Sequence, residues 1–198
     1  MSVEAKSHAP RVAAGTMVVV VGPSGAGKDS VMSYAARHFA GEARVQFVRR
    51  VITRPADAGG EAHEAIDAAG FARRKSEGGF AVSWDAHGLS YGIPAGTLAQ
   101  LEKGVTLIAN GSRSALPAFA AAFPRLTVVL ITARPDILSE RLAARGRETA
   151  DAIRKRLDRA VPEIVVAANT VVIDNSGALE DAGDALVSLL SKTLAGNG

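Results

Sequence analysis

The sequence predicts an α/β fold, a parallel sheet with helices on both faces. Three observations carry that expectation. Thr16–Val21 is an unbroken, largely β-branched apolar run without polar alternation, the pattern of a strand covered on both sides. A glycine-rich loop, Gly22–Gly27, follows at once and opens into a helical pattern. Short apolar runs then alternate with helical stretches to the end of the chain, as in strand–helix–strand units.

The elements follow in order. Lys28–Phe39 reads as the first helix. Val45–Thr53 predicts a second strand, in which the period of two puts Arg50, Ile52 and Arg54 on one face. Residues 55–100 are glycine-rich and predict an irregular insert, with a short helical stretch near Ala65–Lys75. Val105–Ala109 and Leu126–Thr132 predict two more buried strands. Pro135 suits the first turn of a helix running to Ala144. Thr149 can cap another helix, with Asp151 early and Arg156 and Arg159 late, in accord with the helix dipole. Val171–Ile173 predicts the last strand and Ala178–Leu194 the closing helix. Residues 1–13 read as a flexible tail and 14–198 as one domain, its core formed by 14–54 and 101–198.

Composition narrows the function. A chain of 198 residues suffices for one domain with a sizeable core. It has no cysteine, which excludes disulfides, thiolate metal sites and a thiol nucleophile, and suits a reducing cytoplasm. The net charge of +3 admits acidic partners. The arginines gather at Arg49, Arg50 and Arg54 and at Arg141, Arg145 and Arg147, without interleaved aromatics. That favours a phosphorylated small molecule over nucleic acid. The longest apolar run, Val12–Val21, is too short to span a bilayer, so no membrane partner is expected. Monomer and homodimer stay equally open.

The loop carries the chemistry. Gly22, Gly25 and Gly27 let backbone N–H groups converge on an anion, with Pro23, Ser24, Ala26 and Ser30 completing the cradle. The following helix presents its positive end to the same place. Lys28 can bridge the β- and γ-phosphates of a nucleotide. The motif G-x-x-x-x-G-K-[ST] asks for a hydroxyl next, to hold magnesium, but position 29 is aspartate. Ser30 cannot simply replace it, because one residue turns about 100° along a helix. A strand-end aspartate that often helps hold the metal is also missing, since Val105–Ala109 runs into Asn110. Asp29 is therefore expected to restore the missing charge and to face the metal; the plainer alternative is that it only complements the helix dipole.

With these segments in view, the chain resembles the guanylate-kinase-like P-loop NTPase fold and, within it, the ribose 1,5-bisphosphate phosphokinase family of phosphonate degradation. The resemblance rests on GPSGAGKDS at Gly22–Ser30, RVITRP at Arg50–Pro55, GEAHE at Gly60–Glu64, SWDAHGLSYG at Ser83–Gly92, NGSR at Asn110–Arg113 and RLAARGRE at Arg141–Glu148. It implies an ATP- and magnesium-dependent kinase, transferring phosphate onto the 1-phosphate of ribose 1,5-bisphosphate to give 5-phosphoribosyl 1-diphosphate. It also implies that residues 55–100 bind the acceptor and that residues 141–159 form an arginine lid. Guanylate kinases differ at informative places: Arg50 stands where they have a serine, Asp57 where they have a second arginine, and Ser83 where a glutamate reads guanine. The alternatives are a guanylate or other nucleoside-monophosphate kinase and a non-catalytic binding module of the same fold.

The resemblance assigns roles. Lys28, Arg145 and Arg156 are the implied catalytic residues, and Arg145 and Arg147 join the loop in binding ATP phosphates. Arg50, Arg54, Glu61, His63, His87, Tyr91, Asn110 and Arg113 are the implied acceptor-binding residues. Arg54 is expected to grip an acceptor phosphate, with Arg50 flanking the same ligand. His63 and His87 can serve phosphate or ribose hydroxyls, or be ordinary surface and core histidines. Trp84 reads as core rather than a stacking platform, and Asp174 and Asn175 are expected near adenine.

Overall fold

The computed structural model describes residues 14–55, 61–144 and 169–196. The tail and most of the expected lid, including Arg145, Arg147, Thr149 and Arg156, lie outside the described residues, as does Asp57.

The first strand, β1 (Met17–Val21), is fully buried along its whole length. Its side chains alternate between two cores. Val18 and Val20 pack with Val31 and Ala35 of helix α1 (Lys28–His38) and with Leu186 and Leu190 of the last helix. Met17, Val19 and Val21 pack with Phe119 and Phe123 on the other face. Covering each valine contributes about 1.5–3 kcal/mol, so the β-branched run specifies a central strand.

The chain continues through β2 (Val45–Phe47), β3 (Val51–Ile52), β4 (Glu64–Ala65), α2 (Ala68–Ser76), β5 (Phe80–Ala86), β6 (Leu89–Pro94) and α3 (Gly96–Glu102). Then come β7 (Thr106–Asn110), a 3₁₀ turn at Arg113–Ala115, α4 (Leu116–Ala122), β8 (Leu126–Thr132), α5 (Pro135–Ala144), β9 (Thr170–Asp174) and α6 (Leu179–Ala195). A five-stranded parallel sheet runs β2-β7-β1-β8-β9. Because its strands are parallel, their carboxyl ends emerge at one edge, where ligands of open α/β sheets bind.

Two expectations fail here. Val45–Thr53 is two strands rather than one. The amide of Val48 makes a last bond to the Ile108 carbonyl (2.7 Å), and the chain then leaves for a second sheet. A face counted from Arg50 to Arg54 does not belong to one strand. Residues 55–100 are not irregular either: β4, β5 and β6 join β3 in a four-stranded sheet of order β4-β3-β6-β5. Its hairpin turns at His87 and Gly88, both with positive φ (53° and 74°), as a two-residue turn of the twisted type requires. Glycine-rich composition hides this hairpin, although Trp84 pairs directly with Tyr91 across it. The helix expected near Ala65 starts later, at Ala68, because Asp67 caps it by accepting from the Gly70 amide (2.6 Å).

Candidate active site

Gly27 ends the loop in the left-handed region (φ 84°), and α1 begins at the next residue. The amides of its first turn have no partner within the helix and face the loop's hollow. Lys28 Nζ arches back to donate to the Gly22 and Pro23 carbonyls (3.0 and 3.1 Å). The ammonium is thus held beside the site that the loop amides surround.

A buttress stands behind the loop. The Asn175 side-chain amide donates to the Ala26 carbonyl (2.7 Å), while its backbone N–H donates to Thr132 (2.8 Å). Arg141 Nη1 donates to the Asn175 carbonyl (2.9 Å), which ties the end of α5 to the same point. A Cβ on Gly27 would lie 2.4 Å from Asn175 Nδ2, so only glycine allows this contact. Asn175 therefore supports the loop from below. Asp174 beside it accepts from the Ser176 amide (3.1 Å).

Asn110 ends β7 in register with Val20 of β1, which brings it alongside the loop. Its side-chain amide donates to Asp29 Oδ1 (2.7 Å) and to Glu61 Oε2 (3.2 Å). The two unusual letters noted in the sequence are therefore in contact. Asn110 is the bridge between two carboxylates, a role a third carboxylate could not fill. The hard carboxylate oxygens of Asp29, which lines the cavity in front of the loop, suit magnesium. Among the described residues no group of three or more His, Asp or Glu side chains gathers to hold a metal. An ion here would take its other positions from nucleotide and water.

Glu61 continues the network. Arg50 donates to it through Nε (2.7 Å) and also through Nη2. The Arg50 guanidinium lies over the Tyr91 ring (5.0 Å to its centroid) and the Trp84 ring (5.7 Å). Those rings stack nearly parallel, 9° apart at 5.4 Å, and Trp84 also packs on Phe119.

In front of the loop lies a cavity of about 420 Å³. Its walls include every expected loop residue except Ala26, whose side chain is fully buried. Arg50, His87, Tyr91, Asn110 and Arg113 line it as well. Glu61 reaches it only through Arg50 and Asn110. Arg54 and His63 do not line it. His63 is buried, with Nε2 3.1 Å from the Arg54 carbonyl and Nδ1 3.2 Å from Arg54 Nη2. Arg54 Nε is buried with no hydrogen-bond partner among the described residues. Ala86, Gly111, Ser112 and Leu142 also line the cavity and were not marked from sequence, and Trp84, expected as core, packs against the core and lines the cavity too.

Among the described residues no helix is long and apolar enough to cross a membrane. No family model matches the chain. It is 52% identical over 177 residues to a ribose 1,5-bisphosphate phosphokinase PhnN of Agrobacterium fabrum, covering 89% of this chain and 97% of that one. The PhnN of Rhizobium etli is 51% identical over 193 residues, covering 96% of this chain and 98% of the other. That of Desulfomicrobium baculatum is 49% identical, covering 89% and 95%. Among solved structures, guanylate kinase from Anaplasma phagocytophilum superposes with a TM-score of 0.66 at 18% identity, covering 91% of this chain and 86% of that one. That likeness shows the fold, a guanylate-kinase-like α/β kinase architecture.

Proposed function

The chain belongs to the ribose 1,5-bisphosphate phosphokinase PhnN family, and on that premise we propose that it transfers the γ-phosphoryl group of ATP to the 1-phosphate of ribose 1,5-bisphosphate. The products are 5-phosphoribosyl 1-diphosphate and ADP. The observation that carries this most directly is the buried Arg50 lining the same cavity as the phosphate loop. It places a guanidinium, a planar fork suited to phosphate, in the chamber that would hold the γ-phosphate.

The chemistry asks little of the protein beyond alignment and charge. An oxygen of the 1-phosphate attacks the γ-phosphorus, and the bond to the bridging β-oxygen breaks, leaving ADP. The attacking oxygen is already ionised, so no strong base is needed. The loop amides hold the β-phosphate, and Lys28 moves from the Gly22 and Pro23 carbonyls onto the β- and γ-oxygens. Asn175 keeps the loop in the shape that aims those amides. Magnesium, when bound, would neutralise charge on the β- and γ-phosphates, and Asp29 is the residue assigned to hold it. Asn110 and Arg113 orient the acceptor at the end of β7, with Tyr91 and His87 on the hairpin side. Arg54, whose buried Nε–H has no partner among the described residues, is assigned to the acceptor. Arg145, Arg147 and Arg156 are assigned to a lid that excludes water and brings positive charge to the moving phosphoryl group.

The test is ATP consumption with ribose 1,5-bisphosphate against GMP as acceptor. Preference for the bisphosphate supports the assignment. Preference for GMP makes the protein a nucleoside-monophosphate kinase, and no turnover with either acceptor refutes the assignment as well.

A further inference from the structure

Arg50 is held in a way that a simple phosphate ligand does not require. Its side chain is about one-tenth exposed and that of its partner Glu61 about one-sixth (10% and 17%). A guanidinium that deep must be neutralised and hydrogen-bonded, and Glu61 does both through Oε1. The same guanidinium covers two aromatic rings that stack on each other and line the cavity. A near-parallel Trp–Tyr pair on a cavity wall is otherwise a stacking floor for a planar ligand.

We propose that Arg50 is the specificity-determining residue of the acceptor site: laid over Trp84 and Tyr91 and clamped by Glu61, it closes the aromatic floor to a nucleobase and makes it a seat for the phosphate of a base-free acceptor.

The two ligand classes face opposite balances. A purine stacking on the rings must push the guanidinium away. That breaks two cation–π contacts and strands the Glu61 carboxylate with only the long Asn110 bond (3.2 Å). A phosphate leaves the guanidinium where it lies and exchanges with Glu61 for its N–H groups. The exchange is favourable because the phosphate carries more charge than the carboxylate and fits the same fork. Glu61 thus acts as a stand-in anion that holds Arg50 flat while no acceptor is bound. This rests on the acceptor proposed above being a sugar phosphate, but the effect of Arg50 on base binding can be read whichever acceptor is turned over.

The experiment uses the full chain and its single tryptophan, Trp84, whose emission reports on the stack. Ribose 1,5-bisphosphate and GMP are titrated separately into wild type, Arg50→Ser and Glu61→Gln, with thermal midpoint and ATP affinity as folding controls. In Arg50→Ser the bisphosphate is expected to bind at least about tenfold more weakly, as loss of a charge-assisted fork implies. GMP is expected to bind at least about tenfold more tightly, as the floor opens for stacking. In Glu61→Gln the side-chain amide oxygen can still accept from Arg50, so the guanidinium stays on the rings without a competing charge, the bisphosphate binds more tightly and GMP stays excluded. Weaker bisphosphate binding in Arg50→Ser with no gain for GMP would overturn the proposal, since Arg50 would then be a phosphate ligand only. Weaker bisphosphate binding in Glu61→Gln would also overturn it. If Arg50→Ser does not fold, Glu61→Gln decides alone. A wild type that turns over GMP in preference to the bisphosphate would refute the acceptor assignment, while the change in GMP binding on removing Arg50 would still read the device.

Discussion

Replacing Asn110 with aspartate keeps the shape of the side chain and removes the donor that two carboxylates share. The native amide donates to Asp29 at 2.7 Å and to Glu61 at 3.2 Å. Asn110 is only 5% exposed, so water cannot take over both bonds. Hydrogen bonds to charged acceptors contribute about 1.5–3 kcal/mol each, so the pair is worth at least about 3 kcal/mol. The new carboxylate also repels both partners, and at an effective dielectric of about 20 two charges about 4 Å apart repel by about 4 kcal/mol before screening. Asn110→Asp should therefore cost more than about 3 kcal/mol without metal, a fall in Tm of at least about 6 °C for a domain of this size. The assay is thermal unfolding by circular dichroism, in EDTA and in millimolar magnesium, beside Asn110→Ala. The alanine variant loses the two bonds without gaining charge, so its smaller deficit should not respond to magnesium. The aspartate variant should recover much of its Tm when the cation replaces the lost donor. An unchanged Tm in EDTA would refute the bridging role of Asn110. A deficit that magnesium leaves untouched would refute the metal role of Asp29.

Three further outcomes are expected. Asn175→Ala removes the bond to the Ala26 carbonyl (2.7 Å) and should raise the KM for ATP about tenfold, the effect of roughly 1.4 kcal/mol of lost support; steady-state kinetics showing an equal rise in acceptor KM would contradict it. Gly183→Ala places a Cβ 2.3 Å from the Tyr34 ring and should separate α1 from α6, costing about 1–3 kcal/mol by overpacking; adding Tyr34→Ala should restore part of the loss in a thermal melt, and no restoration would locate the strain elsewhere. The Tyr34 hydroxyl donates to Asp184 (2.8 Å), and that bond holds its pKa above the ordinary phenol value. In Asp184→Asn the tyrosinate absorbance assigned to Tyr34 should therefore appear at lower pH; no change would show that the carboxylate is not its cause.

Legibility differed by element. Leu126–Thr132 and Pro135–Ala144 emerge with the boundaries their patterns imply, because a buried apolar run and a proline at a first turn act locally. The strand at 45–53 failed because its break has a distant cause. Arg49 donates to the His63 carbonyl (2.8 Å), and Arg50 turns to Glu61. In the small sheet β3 pairs with residues far away in sequence, such as Val51 with Gly92, and no local period records that partner, while the local hairpin β5–β6 is hidden by glycine-rich composition.

The sequence alone determined that a nucleotide phosphate site exists and where it lies in the chain. Glycine spacing, a buried strand before it and a helix after it are properties of consecutive residues, and each is enforced by local sterics. Only the tertiary structure decided what the odd letters do. Asp29 meets Asn110 because β7 lies beside β1 in the sheet, and Asn175 meets the loop because β9 ends at the same edge. Arg50 covers Trp84 and Tyr91 because a hairpin folds two aromatics into one stack beneath it. Those contacts depend on which strands become neighbours, and that choice is made by burial of the whole core rather than by any one segment.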